Sequence, residues 1–266
     1  MNFLREELER VQRRRRQKKW LVAAGAIIFI FFVVIVAGVI VSLALMPTVA
    51  GDEVAVIRVE GEILTGDFSG GGYVGSEAVG RDLRAAADDP FVEAVVLRIN
   101  SPGGSPAAAQ EVIRDLEYTR AKKPVVTSMG EMAASAAYLI AAHTDRIYLS
   151  PDTFTGSIGV IWFFPDESKW MEEEGRQVEV VKSGEQKDMT SPYRPLTENE
   201  RAYAQKMVDE SFETFIADVM EERPVKRADV ETARVIRGEE AISIGLADEE
   251  GNLFDAIEGA RGLANT

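Results

Sequence analysis

The 266-residue chain has no cysteine and a single histidine, His143. The first absence excludes a disulfide scaffold, a thiolate zinc site, an iron–sulfur cluster and a thiol nucleophile. The second excludes a histidine-rich metal centre and forces any Ser-His-Asp triad to run through His143. Lysine is also scarce, with 9 residues against 21 arginines. Basic side chains number 30 and acidic ones 44, a formal net charge of −14. Beyond residue 50 the imbalance deepens to 22 basic against 41 acidic, a net −19. A part that acidic repels phosphate backbones, which argues against nucleic acid as a partner. The same lysine-poor, acidic composition suggests a protein that lives in high salt, where carboxylates hold water and cations. At 46% hydrophobic and 28% charged residues the chain is not disordered overall.

What is present begins with a charge step. Residues 1–20 hold eight basic and three acidic side chains, whereas residues 21–50 carry no charge. In residues 21–45 only Ser42 is polar. As a helix this run spans roughly 38 Å, enough to cross a hydrocarbon core of about 30 Å with some tilt. A transmembrane helix is therefore expected over 21–46, after a basic tail (1–20) and before a linker (47–53). The rival is a cleaved signal peptide. Its apolar stretch would exceed the usual length of about 7–15 residues, and Thr48-Val49-Ala50 matches a cleavage site only loosely. The basic cluster at 13–19 keeps the N-terminus cytoplasmic, close to anionic lipid heads, and places the domain over 54–266 outside the cell membrane.

In that domain strands and helices alternate, which implies a largely parallel α/β sheet. Strands are expected over 54–59, 94–99, 125–129, 146–149 and 178–181. Helices are expected over 77–87, 106–119 and 133–142 and through most of the chain after Thr197. Thr197 and Glu200 form a capping-box start, and Pro224 marks a break. Residues 66–75 read as a loop with five glycines.

Three segments could carry chemistry. Asn100-Ser101-Pro102-Gly103-Gly104 follows a buried strand, and its glycines allow backbone N–H groups to face a cleft, where they can hold an oxyanion or a phosphate. The same sequence also suits an ordinary turn. In Ala133-Ala134-Ser135-Ala136-Ala137 a serine among small residues at a helix start suits a nucleophile, with the Ala136 N–H and the helix dipole facing a developing oxyanion. A capping serine has the same appearance. His143 lies about 12 Å along the helix that Ser135 begins, too far to act as its base. A lysine can serve if burial lowers its pKa. The segment Lys182-Ser183-Gly184-Glu185-Gln186-Lys187-Asp188 offers two, and spacing does not choose between Lys182 and Lys187.

Together these segments, with Thr155-Gly156-Ser157-Ile158-Gly159-Val160 and Ile236-Arg237-Gly238-Glu239-Glu240-Ala241, resemble the signal peptide peptidase A family. These are membrane-anchored serine proteases related to the proteolytic subunit of the Clp protease. The likeness runs from about Val54 to Ala260. It implies a Clp protease/crotonase-like α/β fold of repeated β-β-α units. It also implies a Ser–Lys dyad of Ser135 as nucleophile and Lys187 as base, with Ser157 orienting the lysine and the N–H groups of Gly103 and Ala136 forming the oxyanion hole. No cofactor or metal is expected. Substrates would be remnant signal peptides or other membrane-derived peptides, and small apolar residues at the cleaved bond fit an alanine-lined site. A ring-shaped homo-oligomer is implied, an octamer being one expected size, and in some members the serine and lysine come from adjacent subunits. Family members often carry two glycines after the serine, where this chain has Ala136 and Ala137. The rival readings are a related membrane protease acting on one membrane-protein partner, and an inactive scaffold of the same fold.

Overall fold

The computed structural model describes residues 53–266, together with residues 35 and 36. The basic tail, the expected membrane segment apart from those two residues, and the linker up to residue 52 lie outside the described residues. Among the described residues no helix is long and apolar enough to cross a membrane.

The chain runs β1 (Glu53–Glu60), β2 (Glu62–Leu64), β3 (Ser69–Gly70), β4 (Tyr73–Gly75), α1 (Ser76–Asp88), β5 (Val92–Ser101), α2 (Pro106–Arg120), β6 (Val125–Ala134), α3 (Ala136–Ala142), β7 (Arg146–Leu149) and β8 (Phe154–Gly156). It continues through α4 (Ser168–Glu173), α5 (Glu198–Glu222), α6 (Arg227–Val230), β9 (Val235–Arg237), α7 (Gly238–Ser243), β10 (Glu249–Glu250) and α8 (Leu253–Ala264). The result is a mixed α/β fold on a mainly parallel sheet. Strand order is β1-β5-β6-β7-β10, with β8 also pairing β6 and β9 closing antiparallel on β8.

The apolar run at 94–99 explains the centre. Val95, Leu97 and Ile99 are fully buried and cluster with Leu83, Val112 and Leu116 from α1 and α2. Ala94 and Val96 point the other way, onto Ala256 and Ala260 of α8. A parallel strand covered on both faces has no polar side to show, hence the continuous rather than alternating pattern.

Three expectations need correction. Residues 66–75 are not a plain loop, since β3 and β4 form a small sheet with β2. Helix α3 starts at Ala136 rather than Ala133, because β6 runs to Ala134 and gains a partner there. Residues 178–181 form no strand, and Val181 is 95% exposed. Strand propensity reflects packing on a neighbour, and among the described residues this segment pairs with none.

Tyr138 fixes α3 from beneath. It is fully buried, and its hydroxyl donates to the Leu246 carbonyl at 2.9 Å. Burial pushes the phenol well above its ordinary value, so it remains a donor at all accessible pH. Tyr138→Phe leaves that carbonyl unsatisfied and should cost about 1–2 kcal/mol. Thermal unfolding should then show a Tm lower by roughly 2–8 °C.

Candidate active site

The site is built by a change of partner in β6. Its first half pairs β7, at Val126, Thr127 and Ser128. Its second half pairs β8, with Met132 opposite Phe154, Ala133 opposite Thr155 and Ala134 opposite Gly156. The groups freed at the change are recaptured by side chains. Asn100 Oδ1 accepts the Met132 N–H at 3.2 Å, and the Thr153 hydroxyl donates to the Gly130 carbonyl at 2.8 Å. The buried Thr155 hydroxyl donates to the Ala133 carbonyl at 2.7 Å.

Ser101, Ala133 and Thr155 therefore form one row across β5, β6 and β8. Two residues beyond that row, past the ends of the three strands, come Gly103, Ser135 and Ser157. Ser135 has φ 55° and ψ −127°, and its N–H donates to the Gly156 carbonyl at 2.8 Å. A positive φ in a non-glycine residue costs of order 1–3 kcal/mol and turns the hydroxyl out of a sharp strand-to-helix bend. Ser157 also has positive φ, 50°, and its N–H donates to the Arg234 carbonyl at 2.9 Å.

Gly103 abuts the serine. A methyl group there would lie 2.8 Å from the Ser135 Cβ and 3.0 Å from the Ala136 nitrogen. Its own N–H, however, donates to the buried Ser101 hydroxyl at 3.1 Å, so this expected oxyanion donor is already engaged. The neighbouring Gly104 lines the same cavity as Ser135 and Ala136. Among the described residues neither the Gly104 N–H nor the Ala136 N–H has an acceptor. Gly104 has φ 150°, and a methyl there would strike the Ile63 carbonyl oxygen at 2.1 Å, so glycine is required on both counts.

The cavity holds about 230 Å³. Its further walls come from Val160 and from Ser211, Thr214, Phe215 and Asp218 of α5. Sequence reading missed the α5 wall. Its signal was the spacing i, i+3, i+4, i+7, which sets those four residues on one helical face.

The lysine segment is organised separately. Lys187 is exposed, lines a shallow depression with residues 183–186 and is not among the residues lining the Ser135 cavity. Lys182 donates to Asp188 Oδ1 and to the Glu185 carbonyl, each at 2.7 Å. Arg194 bridges Asp188 and Glu200, with shortest contacts of 2.6 and 2.7 Å. Glu200 closes the expected capping box with Thr197. Lys182 is thus committed to an ion pair with Asp188. His143 caps the C-terminus of α3, as expected, and its Nε2 pairs with Asp218 Oδ1 at 3.1 Å.

The bonds from Arg194 and then Lys182 hold the Asp188 carboxyl far below its ordinary value of 3.8. Those from Arg194, aided by the Thr197 N–H, bring Glu200 from 4.5 to about 2. Both are depressed, so the unfolded chain binds more protons and the cluster's stabilisation is fully present above about pH 4.5. It is lost as pH falls through the folded values. Amide exchange over residues 182–200 should stay slow down to about pH 4.5 and quicken below it. Glu200→Gln should quicken exchange already at pH 7.

The model described as Peptidase family S49 matches residues 117–266. Protease 4 of Haemophilus influenzae is 36% identical over 219 residues, covering 80% of this chain and 35% of that protein. A putative signal peptide peptidase SppA of Enterococcus faecium is 33% identical over 182 residues, 66% of this chain and 52% of that one. A putative protease of Synechocystis sp. is 32% identical over 215 residues, 80% of this chain and 74% of that one. The chain thus spans about a third and about half of the first two relatives.

Proposed function

Because the chain belongs to peptidase family S49, we propose that it is a serine peptidase of the Clp protease/crotonase-like fold, acting through Ser135 and Lys187. The observation that carries this is Ser135 itself. It is held at positive φ on a strand-to-helix bend, opening on a cavity with the unengaged N–H groups of Gly104 and Ala136. Lys187 takes the Ser135 proton as the oxygen attacks a peptide carbonyl. The Gly104 and Ala136 N–H groups receive the oxyanion, and Lys187 returns the proton to the leaving amine. Water then hydrolyses the acyl-enzyme with the same base. Ser157, two residues past the shared row, orients the lysine.

The commitment of Lys182 to Asp188 supports Lys187 as the base. The placement of Lys187 outside the Ser135 cavity favours a specific variant of this reading, in which the base comes from an adjacent subunit of a ring-shaped homo-oligomer. The uncharged run at 21–45 and its basic flank support a membrane anchor with the protease domain outside. Remnant signal peptides or other membrane-derived peptides are then the substrates within reach. The acidic composition supports work in high salt.

Ser135→Ala and Lys187→Ala should each lower peptide hydrolysis by roughly 10³-fold or more, with Ser135→Ala also blocking labelling by a serine-directed covalent probe. Lys182→Ala should loosen the 182–200 segment yet keep the probe reaction. If the base is supplied by a neighbour, oligomers mixed from the two inactive variants should recover roughly a quarter of wild-type turnover. Full activity in Lys187→Ala would reject the assignment.

A further inference from the structure

Asp218 is the one charged side chain among the residues lining the Ser135 cavity. It is about one-third exposed, and its Oδ1 meets Nε2 of the buried His143 at 3.1 Å. The surroundings do not cancel its charge. Glu222, one turn further along α5, faces His143 Nδ1 at 3.7 Å and Arg120 Nη1 at 3.6 Å. Arg120 is paired more closely with Asp145, at 2.9 Å. Three carboxylates thus share one arginine and one imidazole, and the group stays net negative whether His143 is neutral or protonated. Of the three carboxylates Asp218 is the one that lines the cavity, beside Leu139, Val160 and Phe215.

Position adds a length requirement. Ser135 stands at the N-terminus of α3 and His143 at its C-terminus, about 12 Å apart along the axis. Asp218 is held at the His143 end. A side chain entering from a carbonyl at Ser135 must be long, apolar along its stem and cationic at its tip to use both walls. Lysine and arginine have that form. A short apolar side chain leaves the carboxylate unused, and an acidic one is repelled.

We propose that this cavity selects peptides with lysine or arginine at the residue whose carbonyl is attacked, Asp218 being the specificity-determining counter-charge and His143 its positioning residue. The inference rests on the serine peptidase reading, and it replaces the small apolar preference that the alanines around Ser135 suggested.

The test uses the full-length protein in detergent and two peptidyl-coumarylamides that differ only in carrying lysine or norleucine before the cleaved bond. Norleucine keeps the stem and lacks the ammonium. In the wild type the kcat/KM ratio of lysine to norleucine should be roughly tenfold or more. Asp218→Asn should bring the ratio close to one, and Asp218→Glu should keep it well above one. A wild-type ratio at or below one overturns the inference, as does an undiminished ratio in Asp218→Asn. If the asparagine variant does not fold, the wild-type ratio decides alone. Turnover that survives Ser135→Ala overturns the peptidase reading and this inference with it. Ser135-dependent turnover without lysine preference overturns the inference only.

Discussion

The partner change in β6 is the constraint on which the site depends. A single strand pairs β7 through Val126–Ser128 and β8 through Met132–Ala134. Those two neighbours cannot occupy one line of hydrogen bonds, so the backbone between them must be satisfied by other means. Asn100 and Thr153 supply the bonds, and Gly130 supplies room, since a methyl there would lie 3.0 Å from the Asn100 side chain. Once β6 is drawn onto β8, the Gly156 carbonyl accepts the Ser135 N–H and fixes the bend that holds the serine at positive φ. Beyond the row Ser101–Ala133–Thr155, Gly103 is brought against Ser135, although 32 positions separate them. Nothing in this depends on charge. Backbone pairing in a buried sheet is insensitive to salt, which keeps this bend fixed in a domain with so large a negative excess.

Charge organises the remainder. With lysine so scarce, the roles of Lys182 and Lys187 divide sharply. Lys182 neutralises Asp188 within a cluster that continues through Arg194 to Glu200 at the start of α5. Lys187, one residue before Asp188, makes no side-chain hydrogen bond or ion pair among the described residues. A free amine next to a pinned residue is what a base that must reach another group requires. Its backbone is located while its side chain keeps its reach. The same helix, α5, carries Asp218 at the cavity wall, so one element supports both the loop bearing the proposed base and the proposed specificity group.

Much of the fold was legible. The buried run at 94–99, the amphipathic helix at 106–119 and the Thr197–Glu200 box all reflect local rules that tertiary structure did not override. The errors fall where partners, not propensities, decide. Residues 133–134 read as helix because alanine favours it, but β8 was available to pair with them. Residues 178–181 read as strand because valine favours it, but among the described residues no neighbour accepts them. In the candidate site, the small neighbours of Ser135 in the sequence match its place at a tight strand-to-helix bend that lines the cavity. That the Gly103 N–H donates to the Ser101 hydroxyl was not legible, because it depends on how the turn after β5 folds back on the end of that strand. Asp218 was hidden for a related reason. An acid on an exposed-looking helix gives no sign that its face closes a cavity.

His143 shows how a residue outside the cavity lining still shapes the site. At the end of α3 it cannot serve Ser135, yet its ring joins α3 to α5 through Asp218 and lies close to Glu222. Were the base a histidine in the cavity, it would occupy the space between Ser135 and α5. Its absence leaves that space to substrate, and the nearest strong charge to meet substrate there is a carboxylate. A lysine base approaching from an exposed loop is compatible with such a cavity because it need not fill it. The single histidine and the serine–lysine assignment are therefore linked by geometry. The helix that follows Ser135 ends at the one imidazole, which holds Asp218 of the cavity wall.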